Sequence, residues 1–295
     1  MNAPEQGFLL LTSSLGDPTR PVLTVPQFRT LAQRVRQMEK PDTIREMTVA
    51  DLVALGYGQT MAQRILTLLS QTEQLRWYLD KARKRDCCPI SRISQGYPPQ
   101  LRKRLALDSP GCLWAKGDLS LLQCKAVALV GCRDLLQNNL AFAREAGKQA
   151  ALQGFVLISG NARGADREAQ EACLSAGGNV ISVIADSLEK CPLQRNLLFL
   201  SEDGFDCAFT PQRALSRNRI IHCLGSLTLV AQSDLRKGGT WDGTSHNLRH
   251  KWTQVYCFDD NQPATQEFVQ MGASPITLAQ LTDFSALTQG NFSFF

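Results

Sequence analysis

Two stretches decide the fold: Lys125-Ala-Val-Ala-Leu-Val-Gly-Cys-Arg133 and Val156-Leu-Ile-Ser-Gly-Asn-Ala-Arg-Gly-Ala-Asp166. Each opens with an unbroken apolar run, the pattern of a strand buried on both faces of a parallel sheet, and each run ends in glycine beside small and cationic residues. Parallel α/β sheets build ligand sites at such strand ends. Glycine lets the backbone turn sharply there, and the first amides of the following helix point at an anion. Gly131, Cys132 and Arg133 follow the first run; Ser159, Gly160, Asn161, Arg163 and Gly164 follow the second. The arginines supply planar bidentate donors, while Ser159 and Asn161 supply neutral hydrogen bonds. Asp166 is a poor phosphate ligand and reads as a helix cap or a tie for its loop.

Outward from these runs, strands and helices alternate. Strands are expected at 125–131, 155–159, 179–185, 226–232 and 254–258, and helices at 138–153, 165–176, 192–202 and 213–224. That order is the pattern of a doubly wound parallel sheet. The first turn reads Gly-Cys-Arg-Asp-Leu-Leu and lacks the GxGxxG fingerprint; Lys237-Gly-Gly-Thr240 lacks the spacing of a Walker loop. A standard NAD or ATP enzyme is therefore excluded. Residues 86–116 form a proline-containing connector, extended or turn-like, and residues 20–80 carry helical periodicity. Within the latter, Leu52 to Ile65 is similar to a helix-hairpin-helix unit around Gly56-Tyr57-Gly58, a hairpin that serves either DNA contact or packing.

A chain of 295 residues, 43% hydrophobic and 20% charged, buries a sizeable core and suits one large domain with a smaller one. The apolar run Phe8 to Leu11 is too short for a bilayer and lacks a basic leader, so a cytoplasmic protein with no membrane partner is expected. Ten cysteines without a CxxC pair indicate neither zinc nor a disulfide framework. Cys132 is the exception worth following, because a thiol in an electropositive turn has a lowered pKa. Net charge is +5, with Arg76, Lys81, Arg83, Lys84, Arg85, Arg92, Arg102, Lys103 and Arg104 crowded before the first strand and Arg213, Arg217 and Arg219 further on. This placement suits a polyanion partner, although residues 81–85 alone also fit a solvated helix face. His246 and His250 have metal-ligand spacing but no third ligand, so neither metal nor cofactor is expected.

Seven motifs share an order. Tyr97-Pro-Pro-Gln-Leu, Leu113-Trp-Ala-Lys-Gly, Val127-Ala-Leu-Val-Gly-Cys-Arg133, Ser159-Gly-Asn-Ala-Arg-Gly-Ala-Asp166, Gly177-Gly-Asn-Val, Pro192-Leu-Gln-Arg-Asn196 and Arg217-Asn-Arg-Ile-Ile221 resemble the DNA-processing protein A (DprA/Smf) family over roughly residues 50–287. The resemblance implies an α/β fold, an extended Rossmann-like, doubly wound, mostly parallel sheet over 86–288. A small all-α, helix-hairpin-helix or SAM-like domain (1–85) precedes it, and a tail (289–295) follows. It implies no catalysis: the protein would bind single-stranded DNA, form a homodimer and load a RecA-type recombinase in recombination during natural transformation, or competence. Carried over, Gly131 and Arg133 fall in the first loop; Ser159, Gly160, Ala162, Arg163, Gly164 and Asp166 in the second; and Arg217, Asn218 and Arg219 in the third. Lys237, Gly238, Gly239 and Thr240 lie where the family has a Ser-Gly-rich loop. Departures are Cys132 for serine, Ala165 for isoleucine, Gln170 for histidine, Gln232 for an acid and Phe258-Asp-Asp for Val-Pro-Gly, with no room for a winged helix after residue 288.

Two other readings stand beside this one. Gly238-Gly-Thr-Trp-Asp-Gly-Thr244 is similar to the loop of nucleoside-monophosphate phosphoribohydrolases, which suggests a small-nucleotide enzyme or a sensor of a nucleotide-derived signal; the acids nearest to a catalytic role are Asp242 and Glu189. Alternatively the pocket has decayed and the chain is a protein scaffold. In the DNA-binding reading Trp241 is a candidate base stacker, or else a half-buried structural residue.

Overall fold

The computed structural model describes residues 1–37 and 47–289. Its frame is a nine-stranded sheet in the order β1-β2-β6-β5-β4-β3-β7-β8-β9. The strands are β1 (Cys87–Ser91), β2 (Cys112–Gly117), β3 (Ala126–Val130), β4 (Val156–Ser159), β5 (Asn179–Val183), β6 (Leu197–Ser201), β7 (Leu227–Val230), β8 (Gln254–Phe258) and β9 (Ser274–Ile276). From β6 to β9 every pairing is parallel; β1 and β2 add an antiparallel margin beyond β6. This is the mostly parallel, doubly wound α/β sheet that the alternation predicts.

The helices divide by position. Preceding the sheet are α1 (Ala3–Thr12), α2 (Val25–Arg36), α3 (Val49–Ala54), α4 (Gln59–Ser70) and α5 (Thr72–Arg83); α6 (Pro99–Leu105) lies between β1 and β2. Between the parallel strands run α7 (Gln137–Leu152), α8 (Ala165–Ser175), α9 (Pro211–Ser216), α10 (Asn218–Leu224), α11 (Gly238–His250) and α12 (Pro263–Gln270), and α13 (Phe284–Gln289) closes the described chain. Of the expected tail, residues beyond Gln289 lie outside the described residues.

Alternation along β3 sorts these helices onto two faces. Val127 and Leu129 join Phe142, Ala143 and Ala146 of α7 and Ala169 and Cys173 of α8. Ala128 and Val130 join Ile220 and Ile221 of α10 and Trp241 of α11. The first cluster runs on without a break into the leading helices, through Tyr78, Trp114 and Phe205. Their rings meet at centroid separations of 4.9–5.3 Å, and Tyr78 Oη donates to Asp206 at 2.7 Å. In the α3–α4 turn, Gly56 adopts φ +86°.

Three sequence expectations need correction. The helix expected at 192–202 is strand β6, entered through Asn196 at φ +64°. Its apolar run Leu197-Leu-Phe-Leu is too short for periodicity to separate a buried strand from a helix, and here β5 and β2 supply partners on both sides. The helix expected at 213–224 is two helices, α9 and α10, meeting at Arg217. Within the connector 86–116, the stretch 97–101 enters helix α6 instead of staying extended or turn-like, whereas 113–117 is extended as strand β2.

The order of strands also places the site. From β3 the chain winds one way through β4, β5 and β6, then crosses to β7 on the other side of β3. Loops leaving β3 and β7 therefore diverge, opening a crevice at the carboxyl ends of the strands, where open α/β sheets bind ligands.

Candidate nucleic-acid interface

Four loops meet at this crevice. The first, Gly131 to Leu136 after β3, lies against the second, Gly160 to Gly164 after β4, with no room to spare. A Cβ on Gly131 would fall 2.4 Å from the Ala165 Cβ, and one on Gly164 would fall 2.3 Å from the Arg133 carbonyl oxygen. Gly164 also holds φ +88°, a conformation that side chains resist. Backbone bonds lock the contact: Ala165 N donates to Cys132 O at 3.2 Å, and Cys132 N to Gln232 O at 3.0 Å.

Two glutamines outside the family pattern brace this arrangement. The Gln232 side chain accepts from Leu136 N at 2.8 Å, tying the first loop to the end of β7. Gln170 donates to Ser159 Oγ at 2.5 Å inside the protein. Ser159 is wholly buried, so its hydroxyl supports the loop from beneath and does not reach a ligand. Asp166 is the tie its chemistry suggests, its carboxylate accepting the amides of Gly160 and Ala162 at 3.1 Å each. Burial pushes that carboxyl above its ordinary value, opposed by Arg217 and the two amides.

Arg217 is the centre of the site. Its guanidinium lies on Gly160: a Cβ there would sit 2.0 Å from Nη1 and 2.2 Å from Cζ, so only glycine admits it. Nη2 donates to Gly160 O at 3.2 Å and Nη1 to Asn218 Oδ1 at 2.8 Å, while Nε is buried with no hydrogen-bond partner. Desolvation, with the nearby charge of Arg133, pulls Arg217 below its ordinary pKa, and Asp166 opposes the shift. Asn218 carries the contact to the fourth loop by donating to Gly239 O at 2.9 Å. Lys237, exposed, is the N-cap of α11; no side chain caps the first amides of that helix, and Gly238 turns at φ +82°. Gly239 and Thr240, half-buried, continue its first turn.

Other residues fall differently from their sequence reading. Arg133 is exposed and forms no ion pair among the described residues. Arg163 is exposed and pairs with Asp134 at 2.7 Å. Asn161 holds φ +57°, a turn role. Arg219 points away, its guanidinium held by the half-buried Glu202 at 2.7 Å, because residues two apart on a helix face different ways. It lines a separate cleft of about 710 Å³ with His246 and His250. The Cys132 thiol is raised, not lowered: desolvation and the fields of Asp234 and Asp134 outweigh its hydrogen bonds. Trp241 is buried, stacked on Phe268 at 4.6 Å, and cannot stack on a base.

Much of the basic segment is neutralised within the fold. Arg76, Lys81, Arg83 and Arg85 pair with Glu73, Asp206, Asp80 and Glu189, and Arg104 donates to backbone carbonyls of Cys223 and Gly225. Arg213 spends its donors on Asp203, Ser201 and the carbonyls of Ala185, Cys207 and Ala208. No group of three or more metal-ligating side chains occurs among the described residues.

The family model of DNA recombination-mediator protein A matches residues 89–284, which contain every loop of this crevice. The chain belongs to that family. The family is described as one of DNA recombination mediators. The chain is 27% identical over 208 residues to the DNA processing protein DprA of Bacillus subtilis, covering 65% of this chain and 68% of that one. It is 31% identical over 156 residues to protein Smf of Escherichia coli, but the match spans 49% of this chain and only 41% of Smf. In structure it is similar to DprA from Streptococcus pneumoniae, with TM-score 0.72, 21% identity and 100% of both chains covered. DprA from Helicobacter pylori, described for its single-stranded DNA binding mode, superposes with TM-score 0.58 and 21% identity over 69% of this chain and 96% of that one. These two likenesses show the fold. No described helix is long and apolar enough to cross a membrane.

Proposed function

We propose that the crevice binds the phosphodiester backbone of single-stranded DNA, as the first step of a recombination-mediator role. The observation that carries the reading is Arg217, a guanidinium seated on a glycine with an unpartnered buried Nε, beside exposed Arg133 and Lys237. Cations gathered from separate loops repel one another, and an anion between them removes that cost. The open glycine turns and uncapped first amides of α11 give a phosphate the donors it prefers. DprA of Helicobacter pylori, which shares this fold, is described as binding single-stranded DNA.

Pairing of two copies and delivery of the strand to a RecA-type recombinase in the cytoplasm complete the reading and rest on family membership. Arg133, Arg217, Lys237, Gly238 and Gly239 form the contact surface; Gly131, Ser159, Asn161 and Gly164 shape it. Fluorescence anisotropy with labelled single- and double-stranded oligonucleotides is the test. The expected result is a preference for the single strand that Arg217→Ala reduces at least about tenfold, the value of one hydrogen bond to a charged group. Equal affinity for duplex, or no effect of Arg217→Ala, overturns the reading.

A further inference from the structure

The first loop carries an acid directly after its arginine, and the fold puts that acid against the cation of the second loop. Asp134 Oδ1 lies 2.7 Å from Arg163 Nη2, bridging the two loops at the mouth of the crevice. The contact is not an accident of one free side chain. Asp134 O accepts from Cys132 Sγ at 3.0 Å and from Gln232 Nε2 at 3.4 Å, so its backbone is pinned from within its own loop and from the end of β7. The backbone beside Arg163 is held close as well, because the turn at Gly164 packs on the carbonyls of Cys132 and Arg133, while the side chains of the pair stay exposed.

We propose that Asp134 is a built-in competitor for the phosphate: its carboxylate occupies Arg163 in the free protein and must release it before a phosphodiester takes its place. The proposal rests on the single-strand reading of the site. Both partners are exposed, so the exchange is rapid and its cost is that of a surface ion pair. Releasing Arg163 adds one cation to the contact. Asp134 thereby sets how tightly the crevice holds a strand and keeps binding weaker and less salt-dependent than the cation count alone dictates.

The test uses the full chain and a labelled oligo-dT in a salt series, comparing wild type, Asp134→Asn, Arg163→Ala and the double variant. Asp134→Asn is expected to tighten binding about two- to fivefold. It also steepens the dependence of log affinity on log salt by about 0.7, the increment for one more phosphate contact on a single strand. Arg163→Ala abolishes both gains. Unchanged or weaker binding by Asp134→Asn overturns the proposal, and so does an equal gain in the Arg163→Ala background, which shows general charge and not release of Arg163. Failure of the wild-type protein to bind the oligomer at low salt sinks the single-strand reading itself, an outcome distinct from these two.

Discussion

Replacing Gly160 by alanine removes Arg217 from its seat while leaving the chain folded. Gly160 has no positive φ, so alanine fits its backbone, and the added Cβ meets only the far end of a long side chain, 2.0 Å from Nη1 and 2.2 Å from Cζ. The guanidinium must swing away, losing its bond to Gly160 O and its position beside Asp166. In stability this costs about 1 kcal/mol, the low end for an overpacked site whose neighbour yields. In binding it removes one charged donor from the phosphate, about 1.5–3 kcal/mol, or roughly a 10- to 150-fold loss of affinity. The salt slope falls by about 0.7. Thermal unfolding and anisotropy on the same preparation measure both quantities. A variant that unfolds at markedly lower temperature, or that binds as tightly as wild type, refutes the reasoning.

Other substitutions separate scaffold from site. Gly147→Ala puts a Cβ 2.0 Å from the backbone oxygen of Ala169, where α7 and α8 touch; neither backbone can yield, so about 3 kcal/mol of stability and roughly 6–12 °C in Tm are lost. Arg213→Ala strips donors from three carbonyls and leaves Asp203 unpaired, costing about 2–3 kcal/mol in chemical denaturation, while the affinity of the folded fraction stays near wild type. His222, buried beside Thr228 and Asn247, has its pKa pushed down to about 3 by desolvation and by Arg217. A depressed histidine binds its proton in the unfolded chain first, so its contribution is whole above about pH 6.5 and is lost as pH falls toward 3. Below pH 6.5 wild type therefore loses about 1.4 kcal/mol per pH unit more than His222→Asn, read from denaturant curves at pH 7 and pH 5; parallel losses rule this out.

The central strands were legible because burial on both faces writes a nearly continuous apolar run: 126–130, 156–159 and 227–230 are interrupted only by Thr228 and the terminal Ser159. Strand β6 was not, since four apolar residues after a proline and a polar turn suit either structure until a partner strand is present. Strand β1, Cys87-Cys-Pro-Ile-Ser, is masked by its proline, tolerated because the strand lies at the sheet edge. At the site, glycine and arginine spacing located the loops but not the aim of each side chain. Arg217 and Arg219 look equivalent in sequence; one sits on Gly160 and the other on Glu202. Asp134 went unnoticed because an acid is discounted beside a phosphate, yet the dipeptide Arg133-Asp134 was the available signal. Gln170 and Gln232 stood out as departures from the family pattern, and their bonds show them bracing the loops.

The most direct test of the account is amide hydrogen exchange of the full chain with and without oligo-dT. Protection on binding is predicted at 131–134, 160–165, 217–219 and 237–240, the loops after β3, β4 and β7 together with the α9–α10 junction, with helices α1–α5 unchanged. Protection confined to the basic segment at 76–104, with these four loops exchanging as in the free protein, would contradict it.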